Sequence, residues 1–393
     1  MAKKSLSLNL PAEVVIEILS WLPIKSISRF RCVSKFWHHL LTKDIHFTKL
    51  YQDRCNKNPG ILVIRREFNA PNDDEEEDII ILSDSDEDEE EEEEILGDTK
   101  EIVKFYCAID LTACNESIEL DSSYLPSFCY IYGICNGLVC LADDEYNFCI
   151  WNPLLKDHVV IPCLPSSSHF PGCDEVTSAG FGYNQDTNQC IVITFCIIDR
   201  KEAGYMSHVS LYTLGRDSAW RTIEGVPYFV DSHATPINGA LHWLAFTQSL
   251  TLILSFNMND EVFQEIPPPN DVRFDVDGEY NHDMKIGELG GLLSIFIQPT
   301  GENVQIWVLR EYAEVHSWTK TFVIGQLDLY PLGATHEEEI ILHCKSAGQL
   351  ILYNPRTYSV RNEEFGFEFH DAFIFIGSIL SPTLIRGARD TFT

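Results

Sequence analysis

Basic residues are scarce in this chain: 28 Lys and Arg stand against 60 Asp and Glu in 393 residues, a formal net charge of -32. A field of that sign repels nucleic acid and anionic lipid, so neither is an expected partner, and it speeds encounter with basic proteins. Long apolar runs are missing as well. None approaches the roughly 18 residues needed to span a bilayer, and Lys3-Lys4 is followed only by Ser5-Leu6-Ser7-Leu8-Asn9, far short of a secretion signal's apolar core. The expected location is cytoplasmic, with the nucleus also open to the chain. No Cys-x-x-Cys occurs among the thirteen cysteines and the thirteen histidines are scattered singly, so no metal is expected. Cysteines such as Cys140, Cys149, Cys190 and Cys196 lie inside apolar, strand-like runs and are expected to be reduced core thiols.

Catalytic patterns are equally sparse. Gly180-Phe181-Gly182 lacks the third glycine and the following helix of a dinucleotide loop. Neither a phosphate-binding Gly-x-x-x-x-Gly-Lys nor a Gly-x-Ser-x-Gly nucleophile elbow occurs. His242, in an apolar strand beside Trp243, is expected to be a hydrogen-bonded core or rim histidine rather than a base. The pattern is that of a binder without cofactor, not an enzyme.

What is present begins at the N-terminus. Val14, Val15, Ile18, Leu19 and Leu22 recur at helical spacing between Pro11 and Pro23, a short turn follows from Ser26 to Phe30, and a third helix gathers Val33, Trp37, Leu40 and Leu41. So short a stretch buries too little to stand alone and needs a partner. The order Leu10-Pro11, Ile18-Leu19 with Leu22-Pro23, then Phe30-Arg31, Val33-Ser34-Lys35 and Trp37 resembles the F-box. Ile27 stands where that family more often has Leu, and Ser34 where Cys is common. The resemblance implies docking onto a Skp-type adaptor, and through it a cullin scaffold, by Leu10, Pro11, Ile18, Leu19, Leu22, Pro23, Val33 and Trp37. A helical cap on the following domain is the alternative.

From residue 102 the helical period gives way to short β-branched and aromatic runs punctuated every eight to twelve residues, an all-β signal. Asn136-Gly137, Asn238-Gly239 and Gly290-Gly291 each open an apolar strand, and a second strand follows, as at Cys149 to Pro153, Leu254 to Asn257, Ile306 to Val308 and Leu350 to Pro355. A period near 50 residues with about four strands per unit fits a propeller blade. The fold class is therefore α+β and multidomain: a three-helix module at residues 1–50, then an all-β repeat domain, a β-propeller, with an antiparallel sandwich as the alternative. The β domain starts at 51–68, resumes over 102–385 and ends in a tail at 386–393.

Gly133 to Leu141, Ile150-Trp151-Asn152-Pro153, Gly180 to Tyr183, Ser218-Ala219-Trp220-Arg221, Gly239 to Trp243, Ile306 to Tyr312 and Ser317-Trp318-Thr319-Lys320 also resemble, in order, the plant F-box-associated, kelch-like domain. Glu314-Val315-His316 departs from it, since Gly is usual after Tyr312. Together the two resemblances imply a substrate receptor of a Skp-cullin-F-box ubiquitin ligase that recruits a protein target for ubiquitination and proteasomal degradation, without performing a chemical step. The alternatives are a non-degradative adaptor-bound scaffold and an S-locus-type receptor for basic secreted ribonucleases.

Charge is unevenly spread. Residues 1–50 carry eight Lys/Arg and three Asp/Glu, residues 73–94 hold sixteen acids and no base, and by difference residues 95–393 carry about -23. The acidic run lies in an insertion, residues 69–101, between strand patterns at Ile61 to Arg66 and Ile102 to Ile109, and is expected to be a disordered loop. Ile79, Ile80, Ile81 and Leu82, followed by Ser83 and Ser85 among acids, resemble a SUMO-interacting motif with acidophilic kinase sites; a plain solvated loop is the alternative. The Asp84-x-Asp86-x-Asp88 spacing is no calcium loop, because Glu89 replaces the glycine such a turn needs.

Overall fold

The computed structural model describes residues 10–55, 59–68, 101–108, 111–123, 125, 130–164, 176–199, 204–247, 250–269, 284–298, 303–312, 314–324, 329–335, 339–344 and 346–387. Four helices come first: α1 (Ala12–Ser20), α2 (Ile24–Phe30), α3 (Lys35–Lys43) and α4 (Ile45–Cys55). Pro11 and Pro23 lead into α1 and α2 with φ of -52° and -56°, positions where a missing N–H costs nothing. The Ser34 hydroxyl caps α3 by accepting from the Trp37 amide at 3.2 Å. Three helices were expected from the sequence pattern, and the fourth arises at Asp44. Its carboxylate accepts from the Phe47 amide at 2.9 Å, so the chain breaks and restarts inside what reads as one apolar stretch.

Leu19, Ile27, Leu40, Leu41, Phe47 and Tyr51 form the core of these helices, with Phe30 edge-on to Trp37 at 5.2 Å. The Tyr51 hydroxyl donates to the Leu22 carbonyl at 3.1 Å, tying α4 to the end of α1. One further member of this core, Ile379, comes from the far end of the chain.

The rest is a ring of six four-stranded antiparallel sheets. The first blade contains β1 (Gly60–Phe68), β2 (Glu101–Ala108) and β3 (Ile118–Leu120). The second is β4 (Tyr130–Cys135), β5 (Leu138–Ala142), β6 (Phe148–Asn152) and β7 (Asp157–Val160); the third is β8 (Val176–Asn184), β9 (Gln189–Asp199), β10 (Tyr205–Leu214) and β11 (Arg221–Val226). The fourth is β12 (Phe229–Ile237), β13 (Ala240–Phe246), β14 (Thr251–Asn257) and β15 (Val262–Ile266); the fifth is β16 (Met284–Leu289), β17 (Leu292–Ile297), β18 (Val304–Leu309) and β19 (Trp318–Ile324). The sixth is β20 (Leu329–Ala334), β21 (Ile340–Cys344), β22 (Gln349–Asn354) and β23 (Ser359–Glu363), after which β24 (Asp371–Phe375) completes the first blade and α5 (Pro382–Gly387) follows. The leading strands β4, β8, β12, β16, β20 and β24 touch one another in a closed circle, so the sandwich alternative does not apply.

Local chemistry explains the repeat. Asn136-Gly137, Asn238-Gly239 and Gly290-Gly291 all have positive φ at both turn residues, between 49° and 80°, the geometry that returns a twisted strand in two residues. Asn152, Asn257 and Asn354, each ending the third strand of its blade, accept two backbone amides apiece through the side-chain oxygen at 2.8–3.2 Å. Adjacent blades are latched by tryptophans: Trp220 Nε1 donates to the Pro162 carbonyl at 2.7 Å, and Trp318 Nε1 to Pro267 at 3.0 Å. Gly180 lies against Trp243, whose Cζ2 would be 2.3 Å from an added Cβ, so the Gly-Phe-Gly run serves close packing between blades.

Among the described residues ten cysteines are free, but Cys196 is disulfide-bonded, which corrects the expectation of reduced thiols for that position. It stands in β9 opposite Val176, where β8 begins, and opposite His208 of β10.

Gly137 offers a test of how the C-terminal segment is seated. Its φ is +69°, and an added Cβ would lie 2.4 Å from Ser378 Cβ and 2.5 Å from Ser378 N. Gly137→Ala combines the left-handed penalty of about 1–2 kcal/mol with a backbone clash. It should lower unfolding free energy by roughly 2–4 kcal/mol in urea titration, whereas Gly239→Ala, with nothing within 4 Å, should cost only the conformational part.

Candidate functional site

Helix α1 has two apolar faces. Leu19 points into the helical core at 2% exposure, while Leu10, Val14, Ile18 and Trp21, spaced at i, i+4, i+8 and i+11, are 41–66% exposed. Val33 and Phe36, before and within the first turn of α3, are 62% and 60% exposed. Six large apolar side chains open to solvent within 27 residues of chain are far above the scattered exposure of an ordinary surface. Of the side chains predicted from the sequence, Leu10, Pro11, Ile18, Pro23 and Val33 are exposed, Leu22 and Trp37 are half-buried, and Leu19 belongs to the core. Val14, Trp21 and Phe36 were not singled out, although Val14 stands four residues from both Leu10 and Ile18. Trp21 is held in place by Arg54, whose guanidinium lies 4.2 Å over the indole and 2.5 Å from Glu17. The hydrogen bond from Arg54 keeps the Glu17 carboxyl below its ordinary range.

Strand direction fixes where this surface stands. Gly60 pairs with Phe375, so the chain enters the ring from α4 and leaves it toward Ile379 at one face, the face of the tight turns. Phe68 pairs with Glu101 at the other end of the same blade, so the connection 69–100 departs from the opposite face. The longer blade-to-blade connections, residues 121–129, 161–175 and 267–283, leave from that opposite face too. Its centre carries cations stacked on aromatic rings: Arg66 lies 5.7 Å over Tyr130 and Lys285 Nζ lies 3.1 Å over Tyr330, with Arg65 at 5.5 Å over Phe367 further out. Ile79, Ile80, Ile81, Leu82, Ser83 and Ser85 lie outside the described residues.

Comparison with known proteins separates the same two modules. Residues 7–49 match the F-box domain model, and residues 97–376 match the model of the F-box associated beta propeller domain. The chain belongs to the F-box-associated β-propeller family. Two of its relatives are F-box proteins of Arabidopsis thaliana: an F-box/kelch-repeat protein, 27% identical over 391 residues covering 95% of this chain and 96% of that one, and an F-box protein 23% identical over 393 residues covering 93% and 88%.

Within this F-box-associated propeller, His242 is fully buried between blades four and five. Its Nδ1 lies 3.1 Å from the Thr235 carbonyl and its Nε2 2.7 Å from the Tyr312 hydroxyl, which in turn lies 3.1 Å from Ser255 Oγ. Nδ1–H donates to the carbonyl, which leaves Nε2 to accept from Tyr312. Burial pushes the imidazole down to about 4, with the Thr235 carbonyl opposing part of the shift. The unfolded chain, titrating near 6.5, then takes up a proton that the folded one refuses. The stability this neutral histidine contributes is complete above about pH 6.5 and is lost as pH falls toward 4, at roughly 1.4 kcal/mol per pH unit at most. Urea midpoints measured from pH 7 to 4.5 should therefore fall more steeply for the natural chain than for His242→Gln, and parallel curves would show that no proton is taken up there. Tyr312→Phe should cost about 1–3 kcal/mol at neutral pH, the penalty of a buried acceptor left without its donor.

Proposed function

We propose that this protein is the substrate receptor of a Skp-cullin-F-box ubiquitin ligase. The observation that carries the reading is the set of six exposed apolar side chains on and beside α1 to α3, none of which takes part in the core of that module. A Skp-type adaptor covering that surface would bind at the tight-turn face, leaving the opposite face with its longer connections for a target. Such a receptor raises the local concentration of a target lysine near the conjugating enzyme and orients it, and it performs no chemical step.

The target proposed is a basic protein. Residues 95–393 carry about -23 by difference, and a field of that size steers a cationic partner before contact, while affinity would come from a few desolvated contacts with aromatic side chains such as Tyr130 and Tyr330. Immunoprecipitation with the proteasome active and blocked identifies such a target and separates a degradative receptor from a scaffold, since only the former enriches a ubiquitinated partner under blockade. Its association rate should drop several-fold between 50 and 300 mM salt; a rate indifferent to salt means that the acidity serves solubility alone.

The adaptor surface has a sharper test. Ile18→Glu and Val14→Glu place a charge where an apolar contact would be desolvated, and each should weaken adaptor binding by about 30-fold or more while leaving the melting temperature unchanged. Leu19→Ala should do the converse first, destabilising the helices by roughly 2–5 kcal/mol through an internal cavity. Undiminished adaptor binding by the Ile18 variant would refute the assignment of this face.

A further inference from the structure

The chain beyond β24 belongs to both modules at once. Leu380 and Ile385 are buried in the core shared by blades two and three, while Ile379, immediately before Leu380 in sequence, is 3% exposed in the core of the F-box helices. The cause is a clamp. Asn152, fully buried at the end of β6, donates its side-chain amide to the Ser378 carbonyl at 2.9 Å and to the Leu380 carbonyl at 2.8 Å. With both flanking carbonyls held toward the blade, the Ile379 side chain projects away from it, among Leu19, Ile27, Leu40, Leu41 and Phe47. From the helical side, the Arg31 guanidinium donates to the Ile379 carbonyl. On the propeller side the hydroxyls of Ser381 and Thr383 both donate to Asp157.

Ile379 stands four residues past Phe375, and the residues between them lie against Gly137 of the second blade. Its seat among the helices therefore follows directly on the strand that pairs with β1. We propose that Ile379, aimed by Asn152, couples closure of the propeller to the folding of the adaptor-docking helices, so that a chain with an open ring presents a weakened docking face. The helices are synthesised first yet completed last. The adaptor, by stabilising the helices, reciprocally stabilises the closed ring, since coupling between two sites acts equally in both directions. The second half of this proposal rests on the adaptor-docking role argued above, and the first half does not.

The test uses the full chain with Ile379→Ala, Asn152→Ala and Arg31→Met, the last keeping Ile379 and the Asn152 clamp in place should the first two fold poorly. Without adaptor, hydrogen exchange of the α3 and α4 amides should quicken roughly tenfold or more in Ile379→Ala, as expected when a large side chain is cut from a small core, with exchange in β13 and β14 unchanged. Arg31→Met should give a smaller change in the same amides. With a Skp-type adaptor present, the natural chain should show a higher melting temperature of the propeller, and the Ile379→Ala chain should lose most of that rise and bind the adaptor several-fold more weakly, because only the folded fraction of the helices is competent. Unchanged α3 and α4 exchange in all three variants overturns the coupling, whatever the adaptor does. If exchange responds but the natural chain binds no adaptor, the coupling stands and the docking role falls.

Discussion

The pairing of Gly60–Ile64 with Asp371–Phe375 is the contact on which the rest of the architecture depends. Until it forms, the first blade lacks its innermost strand and β1 shows an unpaired edge to the axis. The two partners are some 300 residues apart in sequence. Closure entropy grows only slowly with such a separation, so the pairing is cheap to maintain, but contacts this distant form late in folding. A single register then decides three placements together. The helices must enter at the face of Gly60, the C-terminal segment must leave at the same face, and the connection between β1 and β2 must emerge at the other.

This division matches the charge pattern. The N-terminal 50 residues are net basic, residues 73–94 are wholly acidic in sequence, and at the end of the first blade where β1 stops and β2 begins Arg66, Lys285 and Arg65 lie over Tyr130, Tyr330 and Phe367. Stacked cations keep their charge while the ring supplies apolar contact area within an otherwise acidic field.

Features written by local chemistry were legible in the sequence. An Asn-Gly pair requires positive φ and so marks its turn, and the Asn ending the third strand of a blade marks the next turn by the amides it captures. The tryptophans of Ser218-Ala219-Trp220 and Ser317-Trp318 could be seen as repeated, though not as latches, since the proline carbonyls they bind lie on neighbouring blades. Hidden were features that depend on distant partners. The closing role of β24, the arrival of Ile379 among the helices and the bonded state of Cys196 have no signature near the residues concerned. Helix α1 was ambiguous for another reason: with apolar residues on both faces, spacing alone does not say whether Leu19 or Val14 looks inward, and only the position of Ile27 and Phe47 decides it.

That ambiguity has a physical consequence for the module as a whole. Some 46 residues bury little surface, and six of their large apolar side chains face outward, so those residues contribute nothing to the internal core. The core that remains, from Leu19 to Tyr51, is small enough that one additional buried isoleucine is a substantial fraction of it. A helical unit built to expose a sticky face is thus forced to draw stability from its surroundings, and the nearest source is the segment that closes the propeller. Supplying Ile379 from that segment, and not from the helices themselves, means that the exposed face is rigid only when the ring behind it is complete, which limits the time an unfinished chain displays an ordered apolar surface.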